Sequence, residues 1–96
     1  MTGLEPWLSP YADALLTHAR SRVEVTSTYR SIGRQLSLWL TRSMNPYPVA
    51  PPGQSYHNYG RAFDLKASPD ELAWLGSIWR SWGGTWNPSD AIHFQA

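Results

Sequence analysis

"GQSYHNYGRAFDLKA", residues Gly53 to Ala67, sets a histidine and an aspartate seven positions apart on either side of a glycine. Gly60 lets the backbone turn between them without a Cβ penalty. "RAFDLKA", Arg61 to Ala67, reads as a short strand, so His57 belongs to the loop that enters it and Asp64 to the strand itself. Both side chains are costly to bury alone. The spacing leaves two readings open. They are polar residues of an ordinary loop–strand junction, or they are ligands with something between them. A His-x6-Asp pair is a far weaker sign than two histidines on one helix face.

The neighbouring segments supply the architecture. Ser68-Pro69-Asp70-Glu71 combines an N-cap, a proline at the first helical position and a Ser-x-x-Glu capping box. It opens a helix that places Leu72, Leu75, Trp79 and Trp82 on one face and stops at Gly83-Gly84. "IHFQ", Ile92 to Gln95, is a last short strand. Upstream, "NPYPVAPPG" (Asn45 to Gly53) holds four prolines in nine residues and excludes regular helix or central strand. Ser31 to Arg42 fits a helix with Ile32, Leu36, Trp39 and Leu40 inward. "RVEVTSTY", Arg22 to Tyr29, alternates as a strand. A first helix starts at Ser9-Pro10, with Ser9 as its cap, and carries Leu8, Tyr11, Leu15, Leu16 and Ala19 at helical spacing to about Arg20. The order α-β-α-loop-β-α-β predicts a small α+β domain spanning residues 1–96, with a short antiparallel sheet and flanking helices.

Composition narrows the function. A net charge of +1, with Lys66 the only lysine and the arginines scattered, gives no basic stripe for nucleic acid or anionic lipid. With no cysteine, disulfides and Cys-based zinc knuckles are excluded. No stretch reaches the ~18 apolar residues of a membrane span, and "MTGLEPWLSP" has neither the basic nor the apolar segment of a signal peptide. The expectation is a chain made in the cytoplasm without a signal peptide, acting as a monomer.

On this map His57 lies in the loop before one strand, Asp64 within it, and His93 in the last strand. Two imidazoles and one carboxylate suffice for a catalytic zinc with an open fourth position. Asp90, three residues before His93, stands where a general base could work beside such an ion, although Asn-Pro-Ser-Asp is equally turn chemistry.

"SYHNYGRAFDL" resembles the S-x-H-x-x-G-x-A-x-D-L signature of the zinc peptidoglycan peptidases, the D-Ala-D-Ala carboxypeptidases and L-alanyl-D-glutamate endopeptidases of the hedgehog/DD-peptidase fold. "VTSTYRSIGRQ" (Val25 to Gln35) and "WGGTWNPSDAIHFQ" (Trp82 to Gln95) are similar, in order, to two further segments of that family. The resemblance implies Zn2+ held by His57, Asp64 and His93, with Asp90 as the general base and Arg30 reaching toward the scissile carbonyl. It implies that Ser55 and Gln35 shape the substrate site. Tyr59 and Trp86, in glycine-flanked loops, are candidates to line the cleft, whereas Trp82 by helical phase and Phe94 by strand alternation should be core.

The implied activity is zinc-dependent hydrolysis of a peptide bond in peptidoglycan stem peptides. The compact ending resembles the L-alanyl-D-glutamate endopeptidases, including phage endolysins. D-Ala-D-Ala carboxypeptidase and a non-hydrolytic zinc-binding wall module are the alternatives. The expected partner is the stem peptide, reached at the cell wall by a route other than a signal peptide.

Overall fold

Strand alternation organises the molecule around the pairing of β2 (Ala62–Lys66) with β4 (His93–Gln95). The computed structural model describes residues 1–96, and in it β2 and β4 run antiparallel with Phe63 opposite Phe94 and Asp64 opposite His93. Directly opposed residues share a face, so this register stacks two phenyl rings on one side of the sheet and sets a carboxylate against an imidazole on the other. β1 (Glu24–Ser27) pairs with the outer edge of β2 and β3 (Thr85–Trp86) with that of β4, giving the antiparallel order β1-β2-β4-β3. The expected fold class is the one observed.

The apolar face is covered by α1 (Ser9–Leu16) and α3 (Pro69–Ser81). Phe63, Phe94, Leu15, Leu65 and Leu75 are fully buried there, each worth about 1.5–3 kcal/mol of transfer free energy. Ser68 caps α3 as expected, its hydroxyl accepting from the Glu71 backbone N–H. The reciprocal half of the capping box does not form. The Glu71 side chain is buried and accepts instead from the backbone N–H of Arg20 (2.7 Å), tying the segment that follows α1 to α3.

Several expectations are corrected by packing. α1 ends at Leu16, short of Arg20, and its cap position is Leu8, because the Ser9 hydroxyl is engaged with Met1. Its buried face is Leu8, Ala12 and Leu15, and Tyr11 is exposed. β1 is four residues long. α2 (Ile32–Leu40) forms, capped by Ser31, yet Ile32, Leu36 and Leu40 point to solvent, Leu40 being 71% exposed, since no element packs on that side. Its one buried residue is Gln35. Trp82, one residue past the end of α3, is 42% exposed and lies edge-on to His18.

Trp86 moves the other way. Expected at the cleft, it sits in β3 as a core residue, its Nε1–H donating to the Ala91 carbonyl (2.8 Å). Gly76 makes this possible, because a Cβ at that point of α3 would collide with the indole ring.

Candidate metal centre

The polar face of the sheet carries the constellation. Asp64 and His93 are cross-strand neighbours, and the turn before β2 brings His57 over them. That turn is a 3-10 segment, Tyr56–Tyr59, capped at its start by Ser55, whose hydroxyl accepts from the His57 N–H (3.2 Å). It is closed by Gly60 at φ 67°, the left-handed region that glycine enters without strain. A side chain there would also press on the backbone of Gly3 to Glu5.

His57 Nε2 lies 3.0 Å, and His93 Nδ1 3.2 Å, from the same Asp64 oxygen, Oδ1. One donor atom from each of the three residues falls within 4.8 Å of the others. The far nitrogens are engaged as well. His57 Nδ1 is 2.6 Å from the Thr28 carbonyl and His93 Nε2 is 2.7 Å from Gln95 Oε1. A carbonyl only accepts, so His57 Nδ1 bears a hydrogen, and in the neutral ring the Nε2 lone pair faces the cluster. Burial opposes ionisation of Asp64, yet in the metal-free protein hydrogen bonds donated by His57 and His93, in the forms that carry a proton on the nitrogen facing Asp64, outweigh it and hold the carboxyl well below its usual range. Burial opposes charge on His93 too, and its bonds to Asp64 and Gln95 reverse the balance, so its pKa is raised. Two imidazole nitrogens and an ionised oxygen converging this closely, with the outer ring positions anchored, form a donor set that fits a zinc ion with one position open.

The other expected residues divide. Arg30 belongs to the site. Its guanidinium is 3.5 Å from Asp64 Oδ2 and donates to Gln35 Oε1 (2.9 Å) and Ser27 Oγ (3.2 Å). Gln35, only 1% exposed, ties that arginine through its own amide to the Ala50 carbonyl (2.7 Å) and so fixes the proline-rich loop as the cleft wall. Asp90 and Ser55 line the same cleft, a space of about 390 Å³ open to solvent. Burial pushes the Asp90 carboxyl up from its ordinary value, partly offset by His93. Tyr59 and Trp86 do not line it. Tyr59 is exposed and its hydroxyl donates to the Gly53 carbonyl, outside the cleft, and Trp86 is core. Sequence reasoning missed Gln95 and the Thr28 carbonyl. Strand alternation puts Gln95 on the face of His93, a signal that was available, whereas a backbone carbonyl leaves none.

The family profile of VanY, D-alanyl-D-alanine carboxypeptidase, matches residues 11–82, three quarters of the chain. The chain belongs to this family. The matched stretch contains Arg30, His57 and Asp64 but stops before Asp90 and His93, which the antiparallel register of β4 brings to the same site. The fold is that of the vancomycin resistance D,D-pentapeptidase VanY from a VanB-type cassette, solved with Zn(II), at a TM-score of 0.70 and 20% identity over 96% of this chain and 71% of that one. VanYB in complex with D-alanine-D-alanine gives 0.71 and 21% over 96% and 70%. The L-Ala D-Glu endopeptidase ChiX of Serratia marcescens gives 0.70 and 20% over 97% and 80%. At such identities the likeness is one of fold. No curated protein sequence matches the chain significantly. VanY-family membership agrees with the motif resemblance, and no helix is long and apolar enough to cross a membrane.

Proposed function

We propose that this VanY-family chain is a zinc-dependent hydrolase of peptidoglycan stem peptides, with the L-alanyl–D-glutamyl bond as its first substrate. The observation that carries the reading is the convergence of His57, Asp64 and His93 at the floor of a cleft that also holds Arg30 and Asp90. His57, Asp64 and His93 are the proposed ligands. Zinc held by them supplies a Lewis acid and a water whose pKa falls toward ~7.

The chain's own groups do the rest. Asp90 accepts the proton of the attacking water and returns it to the leaving amine, a role that benefits from a carboxyl raised by burial. Arg30, held in place by Gln35 and Ser27, presents its guanidinium to the charge that develops on the scissile carbonyl oxygen. Ser55 spends a lone pair on the His57 N–H and keeps its own O–H for the substrate.

The choice of bond rests on the cleft. Among its lining residues Arg30 is the one Lys or Arg, and in this reading it serves the scissile carbonyl. An open cleft without a second cation suits a peptide that continues past the scissile bond better than a chain-end carboxylate. The family match favours D-Ala-D-Ala carboxypeptidase as the second reading. Either substrate would place the activity at the cell wall.

Incubating the zinc-loaded protein with purified peptidoglycan and identifying products by mass spectrometry decides between them, with a chelated control. New D-Glu amino termini, lost on chelation, are expected. Release of free D-Ala instead would establish the carboxypeptidase. Neither product from a protein with stoichiometric zinc would leave a non-hydrolytic wall-binding module.

A further inference from the structure

The two proposed histidine ligands are oriented by different kinds of partner. His57 is held by the Thr28 backbone carbonyl, which can only accept a hydrogen bond. His93 is held by the side-chain amide of Gln95, which offers an acceptor on one side and two donors on the other. With Oε1 toward the ring, at 2.7 Å, the neutral His93 ring carries its hydrogen on Nε2 and turns its Nδ1 lone pair toward Asp64 and His57. With the amide reversed, Gln95 would donate to Nε2. The hydrogen would then sit on Nδ1, 3.2 Å from Asp64 Oδ1, where it blocks ligation.

We propose that Gln95 is a positioning residue that selects the metal-competent tautomer of His93, an inference that rests on the zinc reading above. The backbone supports the role. Residues two apart on a strand share a face, and Gln95 is pinned in β4 by pairing with Ala62 and Thr85 and by the Trp79 indole, which donates to its carbonyl (2.9 Å). The amide NH2 has no hydrogen-bond partner within the chain, and Gln95 lines the cleft. A substrate carbonyl accepting from that NH2 would hold the amide in the orientation that frees Nδ1. Metal competence and substrate binding would thus meet in one side chain.

The test is zinc titration into the metal-free protein for the parent, Gln95→Glu and Gln95→Met, with circular dichroism to verify folding. A carboxylate can only accept, so Gln95→Glu should bind zinc at least as tightly as the parent. Gln95→Met keeps the length without the acceptor and should bind about 10- to 100-fold more weakly. Long-range ¹H–¹⁵N spectra of the zinc-loaded parent should show the His93 proton on Nε2 and coordination through Nδ1, a signature that a purely structural role would not require. Affinity of Gln95→Met within twofold of the parent would overturn the proposal. Should that variant not fold, weaker binding by Gln95→Glu would do the same. A parent that binds no zinc would sink the metal reading itself, and this proposal with it.

Discussion

The two faces of one small sheet do opposite work. Toward α1 and α3, Phe63, Leu65 and Phe94 are wholly buried among Leu15, Leu75 and Trp79. Toward the proline-rich loop, the alternate residues Asp64, His93 and Gln95 carry polar groups bonded to one another. β4 shows the division in three residues, His93-Phe94-Gln95, with site, core and site in turn. Because the strand period is two, the register that packs Phe94 against Phe63 is the same register that sets His93 against Asp64. The core therefore positions the site, while the site, with its convergent charges, adds little to the core.

That asymmetry is open to attack from both sides. Phe94→Ala breaks the apolar face and should show the largest effect, about 3–5 kcal/mol of destabilisation. In a chain of this size that is a fall in Tm of well over 10 °C by calorimetry. Activity should fall with it, since His93 is the preceding residue on β4. A Phe94→Ala protein that melts like the parent would mean the stacked rings are not what holds the register.

Asp90→Asn tests the polar face, with a smaller effect on folding and of opposite sign. Hydrolysis should drop by about 10²–10⁴ with loss of the base. Burial raises the Asp90 pKa, so its contribution to stability is present below the unfolded value and is lost as pH rises through the raised folded value. At neutral pH the parent therefore bears an ionised, partly buried carboxylate that asparagine does not. Melted with a chelator present, so that metal charge does not enter, Asp90→Asn should match or slightly exceed the parent at pH 7, the difference vanishing near pH ~4. Over the same range the parent's rate should climb with pH as Asp90 ionises. An Asp90→Asn protein that is markedly less stable at pH 7 would make Asp90 a structural residue.

How far the sequence revealed this division depends on the kind of residue. The Gly60 turn and the strand that carries Asp64 were legible because they lie within a few positions of each other, and Ser68 because its capping geometry is local, whereas Ser55 and the pairing of His57 with Asp64 stood out only through the motif resemblance. Alternation placed Phe94 in the core. Trp86 was not legible. Its burial depends on a gap at Gly76, ten residues earlier on another element. Tyr59 and Trp82 failed for the converse reason, since flanking glycines or helical phase say nothing of whether a neighbour is there to receive a ring. Gln95 went unread because its role appears only once His93 has been given an orientation.

α2 is where the comparison can be sharpened most finely. Helical periodicity predicts an inward face of Ile32, Leu36, Trp39 and Leu40; Trp39 is half-buried but the other three point to solvent, while the helix buries the polar Gln35 against Arg30 and the Ala50 carbonyl. A helix that serves the site side of the sheet contributes a hydrogen-bonding residue and almost no core. Leu40→Ser should then change stability by no more than about 0.5 kcal/mol, most of it from helix propensity, and leave the hydrolytic rate unaltered. A loss of 2 kcal/mol or more would mean that this strip is covered in solution, and that the polar side of the sheet carries an apolar contact of its own.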